Sequence, residues 1–130
     1  MESTIRESTP KTPAIKVDSE TGKILIQGRS NPEHSTNLYK PLIAWFDEYI
    51  KRPAEVTDIQ IRLEHFNTSS SKSILDVFKR IKILKEKGHK YKVNWYYEDD
   101  DEEMLDTIEI YEHMTGLEFT KIPVPEEKFN

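Results

Sequence analysis

Two stretches of this chain alternate apolar and polar residues with a period of two, and a helix-period stretch lies between them. Across residues 57–66, Ile59, Ile61 and Leu63 fall on one side and Asp58, Gln60, Arg62 and Glu64 on the other. Across residues 91–97, Tyr91, Val93, Trp95 and Tyr97 alternate with Lys92, Asn94 and Tyr96. Between them Ile74, Val77, Phe78, Ile81 and Leu84 recur at spacings of three and four, which predicts a helix over about 70–87. Strand, helix, strand in succession implies parallel neighbours joined by a right-handed crossover. Strands covered on both faces would read as continuous apolar runs, and these do not. The helices are therefore expected mainly on one face of the sheet, in a two-layer α/β sandwich.

The remaining elements follow from the same periods. Residues 14–17 and 24–26 flank Asp18-Ser19-Glu20-Thr21-Gly22 and predict a β-hairpin. Leu38, Leu42, Phe46 and Tyr49 mark a first helix within 31–50, with Pro41 as an early position or a kink. Met104, Leu105, Ile108 and Tyr111 mark a third helix over 101–115, stopped by Gly116. Residues 117–124 predict a last strand, at an edge because Pro123 cannot donate to a ladder. The expected order is ββ-α-β-α-β-α-β, a mixed sheet of about five strands with three helices. Residues 1–13 are rich in Ser, Thr and Pro and are expected to form a flexible lead-in, and 125–130 a polar tail. The domain between them spans 14–124.

Composition narrows the function classes. The chain has 130 residues, enough for one domain and one modest core. Its 0 cysteines exclude a disulfide frame, a thiolate nucleophile and a thiolate metal site. No apolar run is long enough to span a bilayer, and the first residues carry no apolar signal core, so a cytoplasmic protein without a membrane role is expected. Net charge is −5, and six acids stand together from Glu98 to Glu103. Outside that run 19 basic residues face 18 acids, with no basic stripe to neutralise phosphates, so nucleic-acid binding is disfavoured. The four histidines show no helical pairing, and no phosphate-binding glycine loop or nucleophile elbow occurs. No cofactor and no catalytic residue is assigned.

Two segments remain that could carry function. Asn67-Thr68-Ser69-Ser70-Ser71-Lys72 joins a strand end to a helix start. Hydroxyl side chains there can cap free backbone N–H groups, and a capping cluster needs only one of them. The alternative is a phosphorylation site. A helix N-terminus favours added negative charge, and Lys72 is near in sequence. Composition does not choose among Thr68, Ser69, Ser70 and Ser71. The second segment, Tyr97-Glu98-Asp99-Asp100-Asp101, also joins a strand end to a helix start. Parallel strands would bring both loops to one sheet edge, where α/β domains place their sites. The acids there are a solvated helix start, a docking surface for a partner or, least favoured, a Mg²⁺ site.

These residues together resemble a known family. Leu63-Glu64-His65-Phe66-Asn67-Thr68-Ser69-Ser70-Ser71-Lys72 and Val93-Asn94-Trp95-Tyr96-Tyr97-Glu98-Asp99-Asp100-Asp101 look like the SiaC family of bacterial regulatory phosphoproteins. Gly28-Arg29-Ser30-Asn31-Pro32-Glu33 and Tyr39-Lys40-Pro41-Leu42 with Trp45 fit the same pattern. His65 departs from it, standing where an aromatic such as Tyr is expected. The family is similar in fold and logic to STAS-type anti-sigma-factor antagonists, in which a partner kinase phosphorylates a Ser or Thr at a strand-to-helix junction.

The resemblance implies a non-enzymatic partner-switching protein with Thr68 as phosphoacceptor. It also implies a cognate Ser/Thr kinase, a PP2C-type phosphatase, and a diguanylate cyclase or other effector bound and activated by the unphosphorylated form. The output would be c-di-GMP signalling and biofilm control. Two other classes predict different behaviour. A Mg²⁺-dependent receiver-like domain needs an Asp at the strand end, where this chain has Asn67-Thr68. A plain scaffold uses the hydroxyls only as a cap.

Overall fold

The structure, a computed structural model, describes residues 2–32, 35–126 and 129. Glu33 of the Gly28-to-Glu33 motif, His34, and Glu127, Lys128 and Asn130 of the expected tail lie outside the described residues, as does Met1. The elements are β1 (Glu2–Arg6), β2 (Ala14–Asp18), β3 (Lys23–Ser30), α1 (Ser35–Tyr49), β4 (Val56–Phe66), α2 (Thr68–Glu86), β5 (Lys90–Glu98), α3 (Glu102–Thr115) and β6 (Thr120–Val124). The strands lie in the sheet in their sequence order. β1, β2 and β3 pair antiparallel, and β3 through β6 pair parallel. Because the parallel order never reverses, same-handed crossovers put every connecting helix on one face. That is the two-layer arrangement the alternation predicts.

The sheet has six strands rather than five. The added strand, β1, lies in the segment expected to be a flexible lead-in. Glu2 pairs with Asp18 and Arg6 with Ile15, and Ile5 packs against the core. The Asn31 N–H donates to the Lys11 carbonyl at 2.7 Å, which ties the loop after β1 to the body. A polar strand with one apolar residue suits a sheet edge, where only backbone pairing and one buried side chain are needed. At the other edge β6 begins at Thr120, later than expected. Leu117 and Phe119 are buried before the strand starts. Lys121 on β6 donates to Glu112 of α3 at 2.6 Å, and the Phe119 N–H donates to the same carboxylate. Burial pushes the Glu112 carboxyl up, but these two donors outweigh it and hold the carboxyl below its usual range.

Ile59, Ile61, Leu63, Val93 and Trp95 face the helices and join one core cluster with Leu42, Phe46, Ile74, Phe78 and Ile108. Trp95 is fully buried, ringed by Phe66, Phe78, Tyr111 and Phe119 with centroids at 5.7–6.2 Å. α1 continues through Pro41, whose ring removes one helical bond. Burial of Leu38, Tyr39, Leu42 and Phe46 offsets that loss. The strict alternation of β4 breaks once. Gly28 pairs with Leu63 but Arg29 pairs with His65, so β4 carries one extra residue. The bulge shifts the phase by one, and Phe66 returns to the core side.

Gly22 closes the β2–β3 turn at φ +76°, and a Cβ there would stand 2.5 Å from the Val56 carbonyl oxygen and 2.7 Å from the Tyr49 hydroxyl. Gly22→Ala is therefore expected to cost about 1–3 kcal/mol, from backbone strain plus displacement of those groups. Urea unfolding checks this, and an unchanged midpoint would show that the turn yields freely.

Candidate functional site

The loops before α1, α2 and α3 follow β3, β4 and β5, so all three helix N-termini meet at the C-terminal edge of the parallel strands. The β4–α2 junction is the tightest of them. Asn67, not a hydroxyl, caps α2: its side-chain oxygen accepts from the Ser70 N–H at 2.9 Å. Its amide donates to the Pro32 carbonyl at 2.9 Å, and its backbone N–H to the Ser30 carbonyl at 2.9 Å. One residue thus caps α2 and holds the end of β3 and Pro32 just after it. Helix α2 starts at Thr68, two residues earlier than the periodicity predicts.

The four hydroxyls in a row have different surroundings. Ser70 is fully buried, donates to the Ser30 carbonyl at 2.9 Å and meets the Ser30 hydroxyl at 2.7 Å. Ser30 in turn meets the hydroxyl of Tyr39 at 2.8 Å, and burial pushes that phenol up to about 12. Ser69 is paired with Ser35, the first residue of α1. The Ser35 N–H donates to the Ser69 hydroxyl at 3.2 Å, and the Ser35 hydroxyl donates to the Ser69 carbonyl at 2.6 Å. Ser71 donates back to the Asn67 carbonyl at 3.3 Å, and Tyr111 of α3 donates to the Ser71 carbonyl at 2.8 Å. Thr68 alone of the four is exposed, and its hydroxyl makes no hydrogen bond among the described residues. Lys72, one turn on, is exposed as well and forms no ion pair among the described residues.

A groove of about 220 Å³ runs between this junction and the start of α3, lined by Thr68, Ser71, His65, Glu64, Asp101 and Glu103. The expected meeting of acids and hydroxyls is therefore present. Asp101 caps α3, accepting from the Met104 N–H at 2.9 Å, and Glu102 and Glu103 occupy its first turn. α2 has no acid in its own first turn, so its positive end is compensated only by neighbours. Asp99 and Asp100 are exposed in the β5–α3 turn. On Glu98, burial first, then Glu126 and Asp100, push the carboxyl above its usual range. Among the described residues no three carboxylate or imidazole groups gather in a way that could hold a metal ion.

Tyr97, which the sequence groups with these acids as a candidate contact residue, is mostly buried. It is 9 % exposed and belongs to the core cluster, because its position in the β5 alternation is that of Val93 and Trp95. Ser30, Ser35, Tyr39 and Ser73 belong to the junction; Ser30 and Tyr39 stand in motifs quoted for the family resemblance, but sequence reading gives none of the four a role here. Their partners lie 9–40 residues away in the chain, so no local pattern shows what they bond to.

The geometry separates two roles that the sequence leaves merged. Asn67→Ala is expected to destabilise the domain by about 1–2 kcal/mol, since it removes a cap and the clamp on Pro32. Thr68→Ala is expected to stay within about 0.5 kcal/mol of the parent. Paired urea melts check both, and equal losses in the two variants would return the capping role to Thr68.

Comparison with known proteins finds relatives of the whole domain. The family model described as SiaC family regulatory phosphoprotein matches residues 6–124. An uncharacterized protein of Pseudomonas aeruginosa (strain UCBPP-PA14) is 27% identical over 111 residues, 85% of this chain and 88% of that protein. The crystal structure of apo-SiaC from Pseudomonas aeruginosa is similar with a TM-score of 0.82 and 26% identity, covering 92% of this chain and 98% of that one. A chain in the crystal structure of the diguanylate cyclase SiaD in complex with its activator SiaC, from the same organism, is similar with a TM-score of 0.86. It is 25% identical, and the match covers 94% of this chain and 99% of that one.

Proposed function

Because this chain belongs to the SiaC family of regulatory phosphoproteins and is a regulator rather than an enzyme, we propose that it is a phosphoswitch acting through Thr68. The observation that carries this reading is the contrast among neighbouring hydroxyls. Ser69, Ser70 and Ser71 are hydrogen-bonded into the fold, and Thr68 is exposed and unengaged. A kinase needs an acceptor oxygen it can reach without breaking structure, and Thr68 meets that need.

The unphosphorylated face binds an effector, and phosphorylation releases it. A phosphoryl group on Thr68 adds about −1.5 to −2 charges and three acceptor oxygens. At the positive end of α2 this gains about 0.3–1 kcal/mol at an exposed site. Asp101 and Glu103 across the groove oppose it, but water and salt screen exposed charges, so the modified residue is tolerated in free protein. Inside a packed interface the dianion loses its water and faces those acids without relief. The effector is a diguanylate cyclase, a reading supported by similarity to the SiaD complex, and on this reading the output is c-di-GMP signalling and biofilm control in the cytoplasm. A cognate Ser/Thr kinase writes the mark, and a PP2C-type phosphatase removes it. Among the described residues no helix is long and apolar enough to cross a membrane.

Phosphosite mass spectrometry on protein from its native cells, with peptide 67–72 resolved residue by residue, tests this reading. Phosphate on Thr68 is the expected result. Phosphate only on Ser70, which would have to leave its buried site, would contradict it.

A further inference from the structure

Thr68 and Ser71 line a second groove besides the acidic one. Thr68, Lys72 and Leu75 stand at i, i+4 and i+7 on α2 and face Ile110, Tyr111 and Met114 of α3 across a space of about 360 Å³. Tyr111 donates to the Ser71 carbonyl, which ties the two helices together there. α3 buries Met104, Ile108, Tyr111 and Thr115, and Ile110 and Met114 lie off that stripe at 57% and 56% exposure. They are two of the three large apolar side chains exposed among the described residues. The fold gains little from them where they stand, so their surface is free for a partner. The charge of this groove is the reverse of its neighbour's. The acidic groove holds Glu64, Asp101 and Glu103. Among the described residues no carboxylate lines the second groove, and its one cation is Lys72, exposed and without an ion pair.

We propose that this α2–α3 groove is where the effector docks, and that it takes a segment of the effector carrying apolar side chains beside a carboxylate. The proposal rests on the phosphoswitch reading and gives it a surface. The apolar side chains cover Leu75, Ile110 and Met114, and the carboxylate pairs with Lys72. Charge selects this partner. An acid brought to Lys72 meets no carboxylate in this groove, whereas one brought to the neighbouring groove meets three. The switch follows from spacing. Thr68 stands four residues before Lys72, the separation at which side chains on a helix pair. A phosphoryl group on Thr68 is repelled by the acids on one side and drawn to Lys72 on the other. It then takes the cation that the partner's carboxylate needs and repels that carboxylate directly.

Calorimetry of the full-length chain with the purified diguanylate cyclase tests this. The double variant Ile110→Gln/Met114→Gln is expected to bind about tenfold or more weakly than the parent. Lys72→Glu is expected to lose as much, and Lys72→Arg to stay within about threefold of the parent. Ile83→Gln changes an exposed apolar side chain of α2 outside this groove and is expected to bind as the parent does. If the parent binds and Ile110→Gln/Met114→Gln binds equally well, the groove is overturned while the effector reading stands. Full binding by Lys72→Glu overturns the partner's carboxylate, and an equal loss in Ile83→Gln overturns the groove. A parent that does not bind overturns the groove and the effector reading together. The chain has 0 cysteines, so Met114→Cys carries a single polarity-sensitive fluorophore. Its emission is expected to shift to the blue when the cyclase is added to the unphosphorylated protein, and an unmoved spectrum on a bound complex overturns the proposal.

Discussion

Thr68→Ala protein, incubated with the kinase and ATP, is expected to hold its effector as tightly as untreated parent does. The phosphorylated parent is expected to bind at least ~30-fold more weakly. The size follows from the site. Truncating one partner of a buried charge pair and leaving the other unpaired costs about 2–5 kcal/mol, and 2 kcal/mol is already ~30-fold in Kd. A phosphate on Thr68 would be in that position, since Asp101 and Glu103 line the groove with it and Lys72, beside it on the adjoining α2–α3 face, is one exposed counter-charge. Calorimetry with the purified cyclase reads the difference directly. Thr68→Asp is expected to fall between the two, because one carboxylate carries half the charge and fewer acceptor oxygens. Identical affinities for parent, phosphoprotein and Thr68→Ala would sink the switch, and unchanged melts of Thr68→Ala would show that misfolding is not the reason.

Trp95→Ala is expected to be the most damaging single truncation in the domain, at about 3–5 kcal/mol. Trp95 is fully buried, and four aromatic rings close on it. The cavity would open under the candidate site, since Phe66 precedes Asn67 and Tyr111 donates to the Ser71 carbonyl. Trp95→Phe is expected to cost well under half as much. It keeps a ring in place, and it removes an indole N–H that has no partner among the described residues. A fall in urea midpoint without a change in slope checks this. A near-neutral Trp95→Ala would mean that the surrounding rings collapse into the space.

The period of the sequence carried the parallel strands and the helix-covered face, because Ile59, Ile61, Leu63, Val93 and Trp95 report burial directly. It also placed Tyr97 with Trp95, and that assignment outweighs the tyrosine's position beside a run of acids. β1 was not legible, since an edge strand needs backbone pairing more than apolar residues, and Ile5 alone has no period. Phe129 was hidden for the same reason: it is buried, but one ring in a polar tail gives no pattern. At the candidate site, the hydroxyl cluster could be found but not sorted. Sorting depends on Ser30, Ser35 and Tyr39, which only the tertiary fold brings to α2. The capping residue was misplaced because any of five adjacent polar side chains satisfies the local rule, and the clamp on Pro32 selects Asn67.

The sheet order, which follows the chain, has a consequence for synthesis. As the polypeptide leaves the ribosome, each strand after β1 finds its neighbour already made, and none must thread between two earlier ones. The bonds around the Asn67–Ser71 junction, apart from the Tyr111 contact, need nothing beyond Ser73. These bonds can therefore form on a nascent chain before the acidic loop exists, and on the proposed reading a kinase acting that early would meet Thr68 without the opposing charges.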